Sequence, residues 1–178
     1  MIDPAKTLLA ARRLELVMTV GLVLLSALAL VGAGLSLTAP DRIGESLALQ
    51  GGYGGAPLAP WQNWALIGVM AVHLALWVAL FALARQLFGR LAQGLPAEAA
   101  SSARHVAALL WVMLFWGIAS QALASVAATW GYPEGERAVS IALGTPQVSV
   151  AFSALVASFM ARAFALGADL WQDHQEVI

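Results

Sequence analysis

The chain has 178 residues, 61% of them hydrophobic and only 11% charged, where an ordinary soluble domain carries about a quarter charged residues. With a mean hydropathy of +0.80 it reads as an integral membrane protein. Lys+Arg 9 against Asp+Glu 10 leaves no basic footprint for a nucleic acid, so that partner class is excluded. The absence of cysteine removes disulfides, thiol catalysis, thiolate metal sites and cysteine-ligated clusters.

Along the chain, four apolar stretches predict transmembrane helices over about 14–37, 61–88, 105–130 and 146–176. The first carries one charge, Glu15, at its start. Its length of roughly 36 Å at 1.5 Å per residue crosses a hydrocarbon core of about 30 Å. Lys6, Arg12 and Arg13 precede it as they would a signal peptide, but the apolar run exceeds the about 7–15 residues of a signal core, so it reads as a retained helix. The second stretch is free of charge until Arg85, and the third has none between Val106 and Trp130. The fourth opens at Thr145-Pro146, a Thr cap followed by Pro at the first helical position. Only Gly167 interrupts it afterwards, so it is expected to project into the cytoplasm past Arg162.

The expected fold is therefore all-α, a single domain over 1–178 built as a four-transmembrane-helix bundle. Its central loop, 89–105, is punctuated by Gly94 and Pro96 and carries Glu98 in the first turn of the third helix, so it reads as helix stop, turn and helix start. The second and third helices should be antiparallel neighbours. The outer loop over about 38–60 contains Gly51-Gly52-Tyr53-Gly54-Gly55 and reads as flexible. Tyr53, Trp61, Trp64, Trp130 and Tyr132 gather at the outer boundary as an aromatic belt. Lys6, Arg12, Arg13, Arg85, Arg90, Arg104 and Arg162 fall on the side of the N-terminus, and only Arg42 and Arg137 on the other. That bias predicts both termini in the cytoplasm.

His73 is the only ionisable residue near mid-membrane, roughly 18 Å above the inner boundary marked by Arg85. Such a residue is a functional candidate, because histidine ligates haem iron or chlorophyll magnesium. The alternative is a neutral histidine hydrogen-bonded inside the bundle. Met70, His73 and Trp77 share one helix face, and Met113, Trp116, Gly117, Ser120 and Gln121 share another. Gln121 falls within about 6 Å of the level of His73. The cofactor-binding candidates are therefore His73, Met113, Trp116 and Gln121, in a pocket between the second and third helices. The same residues also suit packing glued by one interhelical hydrogen bond. His105 lies roughly 18 Å from the depth of His73 and cannot share a haem with it, whereas a His73–Met113 pair is offset by roughly 6 Å. His174 has no metal-binding spacing. Arg162 suits snorkelling to the headgroups or pairing with Glu15 or Asp169.

No nucleophile, base and orienting group assemble, so the chain is not expected to be an enzyme, and no cofactor or metal is expected on the leading reading. No span carries the midplane charges or broken helix of a transporter. Ser153, Ala157 and Ala161 recur every four residues, as do Ala154 and Ser158. This spacing suits either packing within the bundle or a docking interface for another subunit.

From about His73 onward the order of features resembles a family of bacterial four-helix membrane proteins known only as a domain of unknown function. The matching segments are Ala84-Arg85-Gln86-Leu87-Phe88-Gly89-Arg90-Leu91, then Gln93-Gly94 and a short turn, and a closing acidic segment, Ala168-Asp169-Leu170-Trp171-Gln172-Asp173-His174-Gln175-Glu176-Val177-Ile178. Leu95-Pro96 replaces the aromatic-threonine pair usual after the Gly. The resemblance implies the four-helix fold and cytoplasmic termini in a bacterial inner membrane, and no activity. The function expected is that of a non-enzymatic accessory or assembly subunit, held in the lipid bilayer among other membrane-protein subunits. The alternative is an electron-transfer subunit binding a tetrapyrrole (haem or chlorophyll type) or a quinone at His73.

Overall fold

The computed structural model describes residues 4–54, 57–133 and 135–176, and every regular element among them is a helix. In chain order these are α1 (Pro4–Thr38), α2 (Pro40–Gln50), α3 (Pro60–Ala92), α4 (Pro96–Thr129) and α5 (Thr145–Glu176). Four are long and apolar enough to cross a membrane, over Leu8–Thr38, Pro60–Ala92, Ala97–Thr129 and Thr145–Gly167.

Local chemistry sets the ends. Gly94 sits at φ +72°, a conformation that costs glycine little. With it in place, Leu95 N–H bonds to Arg90 O and Gly94 N–H to Leu91 O, a Schellman termination of α3. Pro96 then opens α4 well before His105, so most of the expected central loop is helix. Arg90 locks this hairpin by donating to Glu98 O (3.0 Å) and Ser102 Oγ (2.7 Å). At the opposite ends, a glutamine at the third helical position accepts the N–H of the residue before the helix. Ala59 N–H donates to Gln62 Oε1 and Gly144 N–H to Gln147 Oε1, half of a capping box in each case. The cap of α5 is thus the Gly144–Gln147 pair rather than the Thr145 hydroxyl.

The outer segment 38–60 corrects the expectation of a flexible loop, because α2 occupies Pro40–Gln50. Ala39 leaves the helical region (φ −145°, ψ 61°), as a residue before proline is driven to do. Pro40 starts a new helix and Asp41 favours its N-terminus. Gly52, at φ +82°, ends it with a second Schellman pair, Gly52 N–H to Leu49 O and Tyr53 N–H to Ala48 O. The Gly-rich run is therefore in part a helix stop. Gly44 and Ala48 are the buried face of α2. Gly44 lies against Asn63 so closely that a Cβ would overlap the Asn63 side chain and come within 2.7 Å of its Cα.

The bundle is open. α3 packs between α1 and α4, and α5 packs on α4, but α1 makes no packing of similar extent with α4 or α5 among the described residues. In water such a row would leave its outer faces exposed at great cost. In lipid the surroundings are as apolar as the interior, so closing the ring brings no hydrophobic gain. Shape is what holds neighbours together. The Phe81 ring lies directly on Gly21 of α1, while Leu110 and Met113 of α4 pack with Ala154 of α5 and with Leu76 and Leu80 of α3.

Candidate functional site

A cavity of about 290 Å³ lies between α3 and α4 beneath the end of α2, lined among others by Met70, His73, Ser120, Gln121 and Gln50. The structure thus brings His73 and Gln121 to one space but does not join them. His73 Nε2 accepts from Trp77 Nε1 at 3.2 Å, one turn along the same helix. Met113 is elsewhere, buried at 6% exposure where α3, α4 and α5 meet. The His73–Met113 pair is therefore not assembled. Trp116 has a buried indole N–H with no acceptor among the described residues.

Gln121 has another occupation. Its Nε2 donates to Gly117 O at 3.0 Å, and its Oε1 accepts the backbone N–H of Ala142 at 2.9 Å. Ser125 Oγ accepts Ser140 N–H at 2.9 Å, and Thr129 Oγ1 accepts Ala138 N–H at 3.1 Å. Gln121, Ser125 and Thr129 thus form a side-chain ladder down α4, and the segment 138–143 runs along it in extended form. The two repeats match: four helical residues rise about 6.0 Å, and two extended residues about 6.6–6.8 Å. Gln121 lies roughly 13 Å from Trp130 along the helix, so the segment runs beside a helix apolar enough to cross a membrane, where a bare backbone group is costly. The ladder supplies acceptors to the N–H groups of Ala138, Ser140 and Ala142. The other edge presents Val139, Ile141 and Leu143, whose N–H groups have no partner among the described residues. The expected polar face of the third helix found Gln121 but missed this role. The available signals were the four-residue spacing of Gln121, Ser125 and Thr129 and the small/large alternation Ala138-Val139-Ser140-Ile141-Ala142-Leu143.

At the outer rim, Gln62 and Asn63 hold α3 to two neighbours. Gln62 Nε2 donates to Ala127 O (2.6 Å) on α4, and Asn63 Nδ2 to Asp41 Oδ1 (2.8 Å) on α2. Trp61 meets Trp130 edge-on with centroids 6.1 Å apart, and Arg137 lies 5.3 Å over the Trp130 ring.

The expected docking interface needs correction. Ala161 is buried at 3% exposure and Ala157 packs on the Leu110–Met113–Ala154 cluster, so both face the chain's own α4. Ser158 likewise accepts from Trp111 of α4 at 3.3 Å. Only Ser153 is exposed, its hydroxyl returned to Ser149 O. Close approach of α5 to α4 uses Ala154, Ala157, Ser158 and Ala161. The side chains of Asp169 and His174 lie outside the described residues, and no group of three or more His, Asp and Glu able to hold a metal ion occurs among the described ones. Comparison of the chain with protein-family models, with curated proteins and with solved structures finds no match.

Proposed function

We propose that the protein is a non-enzymatic accessory or assembly subunit of a larger bacterial inner-membrane complex, with both termini in the cytoplasm, acting by lateral association. The observation that supports this reading is the uncovered backbone edge of Val139, Ile141 and Leu143. Irregular backbone at membrane depth is tolerated where protein or a water-filled space covers it, and a neighbouring subunit supplies such a cover. These three side chains are themselves exposed, at 68%, 57% and 74%. The basic residues clustered at one end of the helices support the orientation.

The test is a photoreactive residue at Ile141 in native membranes. Assembly requires one discrete polypeptide adduct, reproducible in mass, that is absent when the same residue is placed at Leu24 on α1. Lipid adducts alone at both positions would overturn the proposal.

A second reading, a quinone- or tetrapyrrole-binding electron-transfer subunit, draws support from the cavity shared by His73, Ser120 and Gln121. Its 290 Å³ sits at the lower edge of ligand-pocket sizes, about 300–1,000 Å³. It suits a single quinone ring better than a macrocycle, and Trp77 already engages the ligating nitrogen of His73.

A further inference from the structure

The way α4 covers one edge of the segment 138–143 shows what chemistry covers the other. Each ladder side chain donates back to its own helix, Gln121 Nε2 to Gly117 O, Ser125 Oγ to Ala122 O (2.9 Å) and Thr129 Oγ1 to Ser125 O (2.8 Å), and offers its oxygen to the extended backbone. The segment thereby finds one acceptor at every second residue. Such a match needs Ser, Thr, Asn or Gln at four-residue spacing on a helix. Over three rungs the helical and extended repeats drift apart by only about 1–2 Å, which side-chain length absorbs.

The second edge offers the same repeat. Val139, Ile141 and Leu143 present three N–H groups with no partner among the described residues, each beside a large exposed apolar side chain. A strand laid on this edge would satisfy it but carry an equally bare edge on its far side. A helix bonds its own backbone internally and so ends the series.

This chain does not hold the complement in the right place. Thr145, Ser149 and Ser153 form an exposed hydroxyl series of that spacing on α5, but the series begins where the edge ends. Ala154 packs with Leu110 and Met113, which puts Ser149 level with about residue 117 of α4. Ile141 lies between the rungs of Ser125 and Gln121, level with about residue 123, so the offset is roughly 9 Å. A second copy of the same orientation, related by a twofold axis along the membrane normal, preserves that offset. Its own 138–143 would meet this one with N–H against N–H.

We infer, on the assembly reading above, that the partner is a membrane-spanning helix of a different polypeptide. It carries Ser, Thr, Asn or Gln at positions i, i+4 and i+8, and these receive the N–H groups of Val139, Ile141 and Leu143.

The photoreactive residue at Ile141 supplies the test once its adduct is mapped to the residue by peptide mass spectrometry. The adduct should fall on a helix of another polypeptide, within one turn of a polar series of that spacing. Changing the series to Ala and Val should abolish the adduct, while the same change on another face of that helix leaves it. In this chain, an α-hydroxy acid in place of Ile141 exchanges the N–H for an ester oxygen and keeps the side chain. It should reduce co-purification of the mapped partner about fivefold, as loss of one hydrogen bond does. If that variant does not insert, the same exchange at Val139 makes the test, and the adduct map stands without either. An adduct on an extended segment, on a helix without the polar series, or of twice this chain's mass would overturn the helix-ladder contact and leave lateral association standing. Unreduced co-purification of the ester variant would overturn the backbone contact. Lipid adducts alone would overturn the assembly reading itself.

Discussion

The amide oxygen of Gln121 accepts the backbone N–H of Ala142 at 2.9 Å, so a side chain two turns inside the end of an apolar helix takes the place of a neighbouring β-strand. With Ser125 and Thr129 above it, this bond predicts alternating hydrogen exchange along the segment. The amides of Ala138, Ser140 and Ala142 should exchange slowly, and those of Val139, Ile141 and Leu143 faster. Gln121→Leu should release the Ala142 amide and destabilise the protein by about 0.5–1.5 kcal/mol, the net worth of one hydrogen bond. Exchange resolved to single residues, with thermal unfolding in detergent, checks both. Uniform exchange through 138–143 would dismiss the ladder.

Gly44 is the contact point of α2 on α3. Gly44→Ala should lift α2 from Asn63 at a cost of about 1–3 kcal/mol, the usual range for overpacking. Limited proteolysis near Gly51 should then accelerate while helix content is retained. Unchanged cleavage would mean that α2 is not held at this contact.

The four spans were legible because about 20 consecutive apolar residues have no other stable solution. α2 was not, because Asp41, Arg42 and Glu45 make its eleven residues look like a polar loop, and the Gly51-Gly52 stop looked like flexibility. The pocket was half legible. Helical periodicity put His73 and Gln121 at one level, but it does not reveal that Trp77, on the same helix as His73, is the nearer partner. The reading of Met113 failed for a geometric reason: eight residues before Gln121, it is turned by about 80°, enough to face the junction with α5.

Ala161 reports on internal packing rather than docking. Ala161→Leu should lower stability by about 1–3 kcal/mol without altering what co-purifies, whereas Ser153→Leu should leave the midpoint unchanged. A stable Ala161→Leu protein that had lost a partner would restore the docking role.

His73→Gln separates the two readings of the cavity. If His73 serves only to accept the Trp77 indole N–H, the purified wild type shows no visible absorption band and the variant folds as it does. A wild-type band that this variant abolishes, with helix content unchanged, would establish a His73-ligated tetrapyrrole and displace the assembly reading.

Topology is checked by labels at residue 2, at Ala97 and after Ile178, all to be reached from the cytoplasmic side, and by one at Gly52, to be reached from the opposite side. Accessibility of Ile178 from outside would contradict the four-span count.

Because each spanning helix packs mainly on the span before or after it in sequence, assembly needs no distant segments to find each other. As the chain enters the bilayer, α3 docks on α1, α4 on α3 and α5 on α4. Every step uses a surface already in place and closes only the connection to the preceding span, the longest of which is itself partly folded as α2. The extended segment 138–143 is then the leading edge of the last helix to arrive. It arrives after Gln121, Ser125 and Thr129 are already there to receive its backbone, so this half of its polar edge meets its acceptors as it docks.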